Sequence, residues 1–510
     1  MFYRTILLGL LISLASTVLG QAGTLDPTFA DNAEIKNLNF IQNGDEVITH
    51  SITDSEDRTW IAGYTIIDED YHIVLALLDA DGNYDTEFQG TGHAVENVVI
   101  DNIETIEELA LHEDKLIILS KALVGTTLRP ILIKFNSDGT LQSDFGLDGV
   151  QISPVEMNPT DIAIDDAGNI YMVGTSVDDN IIVVKHFPDG VIDESFGFFG
   201  MSYIDFPSTD LSATIDLDNE GNIYVIGYGH LNGTTRGHIS ALTSTGATNT
   251  DFTENGRKSI TWPDDKKFFV NDGLYDQATS SFYLVGRAVD SETALGNTAA
   301  VKISLEAEQD MSFNDNGWLE IDLGIGGDDL ANRIVKGSDG FYLAGDVIEA
   351  PEGFNSFVLH IDNEGNRADD FGSAGISVIN VIPLGADYAS SLSTQSDGNI
   401  ILTGIALSAE VGYFGYAARI LTSNPLSNQE ANQQEDMSLY PNPARDFLQL
   451  SGSVLPKRNL TYRIYNTSGL LVDAGILNAF QERIAIDHLS EGAYILHLDG
   501  FRPSKWIKTN

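Results

Sequence analysis

The stretch Asp189-Gly190-Val191-Ile192-Asp193-Glu194-Ser195-Phe196-Gly197-Phe198-Phe199-Gly200 decides the fold, because variants of it return at nearly constant spacing along the chain. One phenylalanine anchors each variant: Phe29, Phe88, Phe145, Phe196, Phe252, Phe313 and Phe371, spaced 59, 57, 51, 56, 61 and 58 residues apart. Six positions earlier stands a glycine in six copies, Gly23, Gly82, Gly139, Gly190, Gly246 and Gly365, and Ala307 in the other. Self-similarity at such a period indicates a repeat architecture.

The charge balance is strongly acidic, with 27 Lys and Arg against 75 Asp and Glu and a formal charge of −48. Such a surface repels phosphate backbones and anionic lipid, so we expect no nucleic-acid partner. Acidity also serves solubility outside the cell and need not mark a site. At 510 residues, 42% of them hydrophobic, the chain exceeds the size of one core and favours a repeat array.

The chain has no cysteine, which excludes disulfides, thiolate catalysis and thiolate metal sites. Residues 1–20 have the pattern of a secretory signal, with a positive start at Arg4, an apolar run from Ile6 to Leu14 and a cleavage position before Gln21. No other stretch approaches a membrane span. We therefore predict an exported mature chain without a transmembrane segment.

One copy, from Asp161 to Phe206, contains four short strand patterns. They are Asp161–Ile164, Ile170–Gly174, Ile181–Phe187 and Met201–Phe206, separated by turn-forming residues. The second strand of each copy ends near a small residue: Gly63, Ser120, Gly174, Gly227, Gly286, Gly345 and Gly404. A glycine inside a strand marks a bulge or a close approach of the neighbouring backbone.

Four antiparallel strands repeated seven times predict a β-propeller, whose blades surround a central channel. The last copy has only three strand patterns, Tyr388–Thr394, Ile400–Ile405 and Phe414–Leu421. The mature N-terminus offers the missing turn and a strand near Glu34–Phe40. We therefore predict an all-β fold with a seven-bladed propeller over residues 21–422, closed by the N-terminal strand, which removes exposed edges.

The phenylalanines are interpreted as structural core residues between blades, and Asp26, Asp85, Asp193 and Asp310 as acceptors of backbone N–H bonds in short turns. The Leu25–Phe29 and Ile192–Gly197 copies resemble the delta-60 repeats of bacterial exported proteins. That resemblance covers roughly residues 23–421. It implies a propeller-type repeat and no single activity.

Residues 423–436 are polar and unpatterned, as in a linker. Beyond them, alternating patterns predict a small Ig-like β-sandwich over residues 437–510. Its strand patterns are Met437–Leu450, Leu460–Tyr465, Leu470–Leu477, Arg483–Ile486, Ala493–Leu498 and Lys505–Lys508.

Three blocks in this segment resemble the type A C-terminal sorting domain of the Bacteroidetes type IX secretion system. The residues that carry the resemblance are Tyr440, Pro441, Asn442, Pro443, Gly469, Gly492, Tyr494, Lys505 and Lys508. It implies passage through the periplasm and outer membrane, contact with the secretion machinery, and usually removal of the domain with release or surface attachment. An unrelated adhesive sandwich is the alternative.

No residue pattern of an enzyme emerges. The ten histidines are scattered without metal-ligand spacing, and neither a Gly-x-Ser-x-Gly elbow nor a phosphate-cradling loop occurs. Asp216, Asp218 and Glu220 resemble the first half of a calcium loop, but its distal glutamate is missing and the segment coincides with a hairpin turn. We assign no catalytic or cofactor-binding residue, and calcium at this turn competes with an ordinary Asx turn.

The first functional hypothesis is a non-catalytic binding or scaffold protein at the cell surface or in the medium, with a glycan or protein ligand. Its predicted contact surface comprises the second-to-third-strand loops Gly229–Gly237, Val289–Asn297, Ile348–Asn355 and Leu407–Tyr413. The alternative is a secreted carbohydrate-active hydrolase or lyase with acidic residues at the channel. A third possibility is a spacer within a larger surface protein.

Overall fold

The computed structural model describes residues 21–40, 45–67, 70–96, 103–206, 209–231, 233–323, 328–349, 353–383, 385–408, 412–422, 438–451, 460–466, 471–477, 483–498 and 504–509. The chain divides into two compact units, Gly20–Thr422 and one that includes Ser423–Asn510. The predicted signal (1–20), the linker (423–436) and Gly469 lie outside the described residues. Among the described residues, no helix reaches the length and apolar character that crossing a membrane requires.

In the described part of the chain, the larger unit contains five separate four-stranded antiparallel sheets, numbered here sheets 1 to 5, and one eight-stranded sheet. The two antiparallel halves of the eight-stranded sheet, numbered sheet 6 and sheet 7, meet at one parallel pair, Phe354 opposite Ala386. Sheets 1 to 3 contain β2 (Glu46–Thr53), β3 (Thr59–Ile67), β4 (Asp70–Leu78), β5 (His93–Glu96); β6 (Ile103–His112), β7 (Lys115–Val124), β8 (Thr127–Phe135), β9 (Val150–Ile152); and β10 (Met157–Ile164), β11 (Ile170–Ser176), β12 (Ile181–His186), β13 (Met201–Ile204). Sheets 4 and 5 contain β14 (Thr209–Leu217), β15 (Ile223–Leu231), β16 (Thr234–Leu242), β17 (Arg257–Ile260); and β18 (Lys267–Asp276), β19 (Ser281–Val289), β20 (Gly296–Ser304), β21 (Trp318–Ile321).

Sheet 6 contains β22 (Leu330–Lys336), β23 (Phe341–Glu349), β24 (Gly353–Ile361) and β25 (Ile376–Ile379). Sheet 7 contains β26 (Ala386–Thr394), β27 (Ile400–Ser408), β28 (Gly412–Ile420) and, as its fourth strand, β1 (Ile35–Leu38). Two short helical turns, α1 (Phe29–Asn32) and the 3-10 turn Phe313–Asp315, lie at phenylalanine motifs. The four strands predicted for the Asp161 copy are present, with the first starting earlier, at Met157.

The two ends of the larger unit meet in sheet 7. Strand β1 pairs with β28 in antiparallel register, with Ile35 opposite Ala418 and Leu38 opposite Gly415. The first strands of consecutive sheets contact one another in the order β2, β6, β10, β14, β18, β22 and β26, and β26 contacts β2. A buried ion pair adds to this junction, because Arg419 on β28 bonds the Asp26 carboxylate at 2.8 Å.

The repeated phenylalanines are buried, with exposed fractions of 0–5%, and most of them pack on the turn of the next copy. A Cβ on Gly82, Gly139, Gly190, Gly246 or Gly365 would lie 2.3–2.9 Å from the phenylalanine ring of the preceding copy. These glycines also have φ between +81° and +85°, where side chains are strained. Glycine at this position therefore allows the left-handed backbone conformation and leaves space for the phenylalanine ring of the preceding copy.

A backbone hydrogen bond accompanies this contact, from the N–H after the phenylalanine to the C=O before the glycine of the next copy. The N to O distances are 2.8 Å for Ala30–Asp81, 3.2 Å for Gln89–Asp138, 2.9 Å for Gly146–Asp189, 2.9 Å for Gly197–Thr245, 2.6 Å for Asn314–Glu364 and 2.9 Å for Gly372–Ala22. We call the ring contact and this bond together the Phe–Gly clasp. The last bond joins the final phenylalanine motif to the first glycine turn, where a Cβ on Gly23 would lie 2.1 Å from Gly372 N.

The copy with alanine is the exception to the clasp. Ala307 keeps the left-handed backbone, with φ of 61°, and packs in one cluster with Phe252. Phe252 is also the most exposed of the seven phenylalanines, at 5%. The predicted Asp turns are confirmed, because Asp26, Asp85, Asp193 and Asp310 each accept the N–H two residues on.

The small residue near the end of each second strand lies opposite a bulge in the first strand. The register shifts occur at Ile48/His50, Ile106/Glu108, Pro159/Asp161, Ser212/Thr214, Val270/Asp272, Ala331/Arg333 and Ala389/Ser391. A Cβ on Gly286 would lie 1.9 Å from the Phe269 carbonyl oxygen, which explains why glycine is needed there. In sheet 2 the position is Ser120, whose hydroxyl donates to the Thr105 carbonyl at 2.8 Å.

The smaller unit contains two sheets that share one apolar cluster, which includes Leu448, Ile464, Ile484, Leu496 and Trp506. Its strands are β29 (Ser438–Tyr440), β30 (Phe447–Ser451), β31 (Leu460–Asn466), β32 (Leu471–Leu477), β33 (Arg483–Ala485), β34 (Gly492–Leu498) and β35 (Ser504–Lys508). The sheet orders are β29–β30–β33 and β32–β31–β34–β35. The single strand predicted over Met437–Leu450 was wrong, because the Pro441 to Pro443 turn, whose prolines lack N–H donors, divides it into β29 and β30.

Gly190→Ala tests the clasp, because it introduces a Cβ 2.9 Å from the Phe145 ring at a φ of +85°. We expect a loss of about 2–4 kcal/mol in the free energy of unfolding, measured by urea denaturation. Gly125→Ala is the matched control, since Gly125 has φ of +69° and nothing within 4 Å. Ala307→Gly should stabilise by up to about 1 kcal/mol. Equal losses in the two glycine variants would show that the phenyl contact contributes nothing.

Candidate functional site

In each sheet of the larger unit, a polar residue follows the bulge in the first strand. These residues are His50, Glu108, Asp161, Thr214, Asp272, Arg333 and Ser391, and we call them the central polar cluster. All except His50 line one cavity of about 340 Å³, together with residues such as Ser51, Thr53 and Ser393. Bulges often re-aim a side chain in this way.

An ion pair spans the cavity between sheets 2 and 6. The Arg333 guanidinium lies 3.0 Å from Glu108 Oε2, and His50 Nε2 lies 3.8 Å from the same oxygen. Burial raises the pKa of Glu108, but the charge of Arg333 and the hydrogen bond from Leu109 N outweigh it and leave that pKa lowered. Burial also lowers the pKa of His50 to about 4, so this imidazole is neutral at neutral pH.

Two aspartates of the cluster accept hydrogen bonds mainly from backbone N–H groups. Asp161 accepts from Ile162 N, Thr214 Oγ1 and Ile215 N at 2.6–2.7 Å, the last two from the next sheet. Burial, followed by the charge of Glu108, raises the pKa of Asp161 well above its usual value. This carboxyl therefore tends to be protonated under conditions in which an exposed aspartate is charged.

Asp272 repeats the same arrangement two sheets later. Its carboxylate accepts from Gly273 N at 2.8 Å and from Ile334 N, in the next sheet, at 3.0 Å. Burial raises the pKa of Asp272 to about 6. Glu108 Oε1 likewise accepts a hydrogen bond from Leu109 N at 2.9 Å. Each of the three carboxylates in the central polar cluster therefore accepts at least one backbone N–H.

The calcium candidates do not converge in the structure. The Asp216 carboxylate accepts Leu217 N and, from the next sheet, Tyr275 N. Asp218 accepts Glu220 N and Asn222 N at 2.8–2.9 Å, which is the hydrogen-bond pattern of an Asx turn. In the described part of the chain, no group of three or more His, Cys, Asp or Glu side chains could hold a metal ion.

The predicted contact loops are shorter than expected, because the strands extend into them. Strand β15 continues to Leu231 and β16 begins at Thr234. Strand β23 continues to Glu349 and β24 begins at Gly353. Only the loop 290–295 is described in full among the four predicted ones. The predicted loop ranges therefore include strand residues, and the role of this face as a contact surface stays a prediction.

Most residues of the sorting motif that are described meet at the last strand. Asn442 Oδ1 accepts Ile507 N at 3.1 Å, and its Nδ2 donates to the Lys505 carbonyl at 3.3 Å. Gly492 pairs with Lys508, and the Tyr494 ring stacks on Trp506 at 5.2 Å. Tyr440, Pro441 and Pro443 are exposed at the turn between β29 and β30. The role of Trp506 was not predicted.

The family comparisons match both units. The model of the secretion system C-terminal sorting domain matches residues 438–508, and the model of a beta-propeller repeat matches residues 149–181. No curated protein matches the chain.

Among solved structures, the beta-propeller domain of the Trilobed protease from Pyrococcus furiosus is 9% identical, with 77% of this chain and 99% of that chain covered and a TM-score of 0.41. The polysaccharide lyase Uly1 is 9% identical, with 76% and 100% covered and a TM-score of 0.41. Sqt1 from Chaetomium thermophilum is 11% identical, with 74% and 86% covered and a TM-score of 0.40. Similarities of this size carry no argument about function.

The cross-cavity ion pair gives a stability prediction. Arg333→Met should destabilise by about 1.5–3 kcal/mol, because it leaves the partly buried Glu108 carboxylate, whose side chain is 17% exposed, without its cation. Adding Glu108→Gln to Arg333→Met should recover part of that loss, and urea denaturation of the double-mutant cycle measures the coupling. Strict additivity of the two substitutions would contradict a coupled pair.

His186 gives a pH prediction. Among the described residues, neither ring nitrogen of this buried histidine has a hydrogen-bond partner. At the same position, third strands of other sheets have Leu78, Phe135, Leu242, Ile303, Ile361 or Ile420. Burial lowers its pKa to about 4 from 6.5, so the unfolded chain takes up the proton first as pH falls through that window. His186→Leu should stabilise by about 1–3 kcal/mol at neutral pH, with a gain that grows from pH 6.5 to 4. Thermal unfolding across pH measures it, and a pH-independent gain would contradict the assignment.

Proposed function

We propose that the chain, a β-propeller protein with a C-terminal sorting domain of the type IX secretion system, acts at the cell surface or in the medium as a non-catalytic binding or scaffold protein. The sorting domain implies interaction with the secretion machinery during export. The ligand we propose is a protein or glycan, and the acidic surface disfavours nucleic acid.

The proposed architecture is a seven-bladed propeller of delta-60-type repeats over residues 21–422, closed by the N-terminal strand. Three features support it: the β1–β28 pairing, the contact of β26 with β2, and the bond from Gly372 to Ala22. A fourth is the Leu25–Ile420 bridge, which matches bridges such as Leu78–Tyr84 inside other sheets. We also propose a signal peptide at 1–20, a linker at 423–436 and an Ig-like sandwich at 437–510, in a Bacteroidetes protein.

One observation carries the non-catalytic assignment: the acids at the centre are engaged in holding strands together. Both oxygens of Asp161 and of Asp272 accept hydrogen bonds, and in each case one donor is a backbone N–H of the next sheet. Glu108 is paired with Arg333 and bonded to Leu109 N. A general acid or base needs to reach a substrate proton, which these fixed carboxylates do not favour.

The rival proposal, a carbohydrate-active hydrolase or lyase, has one observation in its favour. The raised pKa of Asp161 and that of Asp272, about 6, occur in residues that line the same cavity, and perturbed carboxyl groups in a cavity are typical of active sites. Thr214 and Ser391 line the same cavity, and their hydroxyl groups donate to the Asp161 carboxylate and to the Ser51 carbonyl.

An activity screen separates the two proposals. The purified exported chain is incubated with a panel of neutral and acidic polysaccharides, and new reducing ends and unsaturated products are measured. We expect no product above that of an Asp161→Asn, Asp272→Asn control, while both substitutions lower the unfolding temperature because they weaken bonds between sheets. Turnover by the wild type that both single substitutions abolish, with folding retained, would contradict the non-catalytic role.

A further inference from the structure

We propose that sheet 3 carries a docking surface for a partner protein, formed by Phe198, Phe199, Met201 and Tyr203, which we call the aromatic edge. The exposed fractions of Phe198, Phe199 and Tyr203 are 69%, 63% and 54%. The inference rests on the proposed binding role of this exported chain and names the kind of partner.

The aromatic edge consists of two pairs of neighbouring side chains that are joined through the backbone. The Phe198 and Phe199 rings lie 4.6 Å apart, Phe198 N donates to the Met201 carbonyl at 2.7 Å, and the Tyr203 hydroxyl lies 3.8 Å from Met201 Sδ. Aromatic side chains and methionine are enriched at protein–protein interfaces. A contiguous exposed apolar patch of this kind marks an interaction site.

The repeat does not require these residues. The same two-residue turn occurs after Phe145 and after Phe371, where Leu147 N donates to Val150 O at 2.8 Å and Ser373 N donates to Ile376 O at 2.7 Å. The positions equivalent to Phe198 and Phe199 are Leu147 and Asp148 in one turn, and Ser373 and Ala374 in the other. Only sheet 3 has two aromatic side chains in this turn among the three.

Phe199 is also held in a strained backbone conformation. Its φ is 52°, the left-handed region, which a bulky residue rarely adopts. The equivalent left-handed residues are Asn32, Asp148 and Ala374, with φ of 68°, 51° and 55°, and none of them is bulky. Phe199 is nevertheless 63% exposed, and strain of this kind clusters at functional sites.

Shape and charge select the partner. The Phe198 and Phe199 rings are inclined at 79°, so they fit a recess better than a flat surface. The formal charge of −48 opposes a second copy or a polyanion, and Glu194 and Asp205 lie exposed beside the edge, with Arg257 bonded to the Asp205 carbonyl. The partner is therefore a different protein, with an apolar recess bordered by lysine or arginine.

Site-specific photocrosslinking tests the proposal. The photoreactive residue p-benzoylphenylalanine replaces residue 198 in the full chain exported by its own host, and adducts are identified by mass spectrometry. The matched control places it at residue 373, the exposed equivalent position of sheet 6. We expect an adduct specific to residue 198 whose second component is another protein with a basic, apolar surface.

Two further substitutions separate binding from folding. Phe199→Asn and Ala374→Asn both place asparagine in a left-handed turn position, so neither should lower the unfolding temperature. Phe199→Asn should reduce the adduct at least tenfold, and Ala374→Asn should leave it unchanged. The proposal is overturned by the absence of an adduct specific to residue 198, by an adduct with a second copy or a glycan, by an undiminished adduct in Phe199→Asn, or by destabilisation in that variant. None of these outcomes bears on the activity screen above.

Discussion

The larger unit depends on one recurring contact, a phenylalanine ring seated on the glycine turn of the next copy, with a backbone hydrogen bond beside it. The Phe145 ring and Gly190 show its geometry, since a Cβ on that glycine would lie 2.9 Å from the ring. Each clasp joins one sheet to the next, so it contributes to the interface free energy between neighbouring repeats. In a repeat array, these interfaces provide much of the stability. The bond from Gly372 to Ala22 extends the same contact to the two ends of the unit.

A second set of contacts holds the sheets together at the centre. Asp161 and Asp272 accept backbone N–H groups of the next sheet, and Arg333 reaches across the cavity to Glu108. Burial removes these carboxyl groups from water and disfavours their charged form, which raises the pKa of Asp272 to about 6. Interior acids of this kind stabilise the assembly only while their partners are present, because removal of one partner leaves an uncompensated polar group in the interior.

The sequence was informative where a physical requirement repeats. Phenylalanine, left-handed glycine and the strand glycine at positions such as Gly286 recur because every copy has the same steric need, so strands, buried phenylalanines and Asp turns were predicted correctly. The central polar cluster was missed because six different residue types fill its position in the seven copies, for example His50 and Arg333. Its spacing of 12 to 14 residues before the strand glycine could have revealed it. The lengths of the second-to-third-strand loops were overestimated, because the strands continue through polar residues. Strand β15, for example, continues to Leu231.

Closure of the ring by the N-terminal strand is the central claim, and the absence of native cysteine allows a direct measurement. Ile35 and Ala418 are opposite each other in the β1–β28 register, within the separation that a disulfide spans. Oxidation of the Ile35→Cys, Ala418→Cys double variant, followed by proteolysis and mass spectrometry, should yield one intramolecular disulfide between the two end peptides. Two reactive free thiols, or disulfides formed only between molecules, would contradict closure.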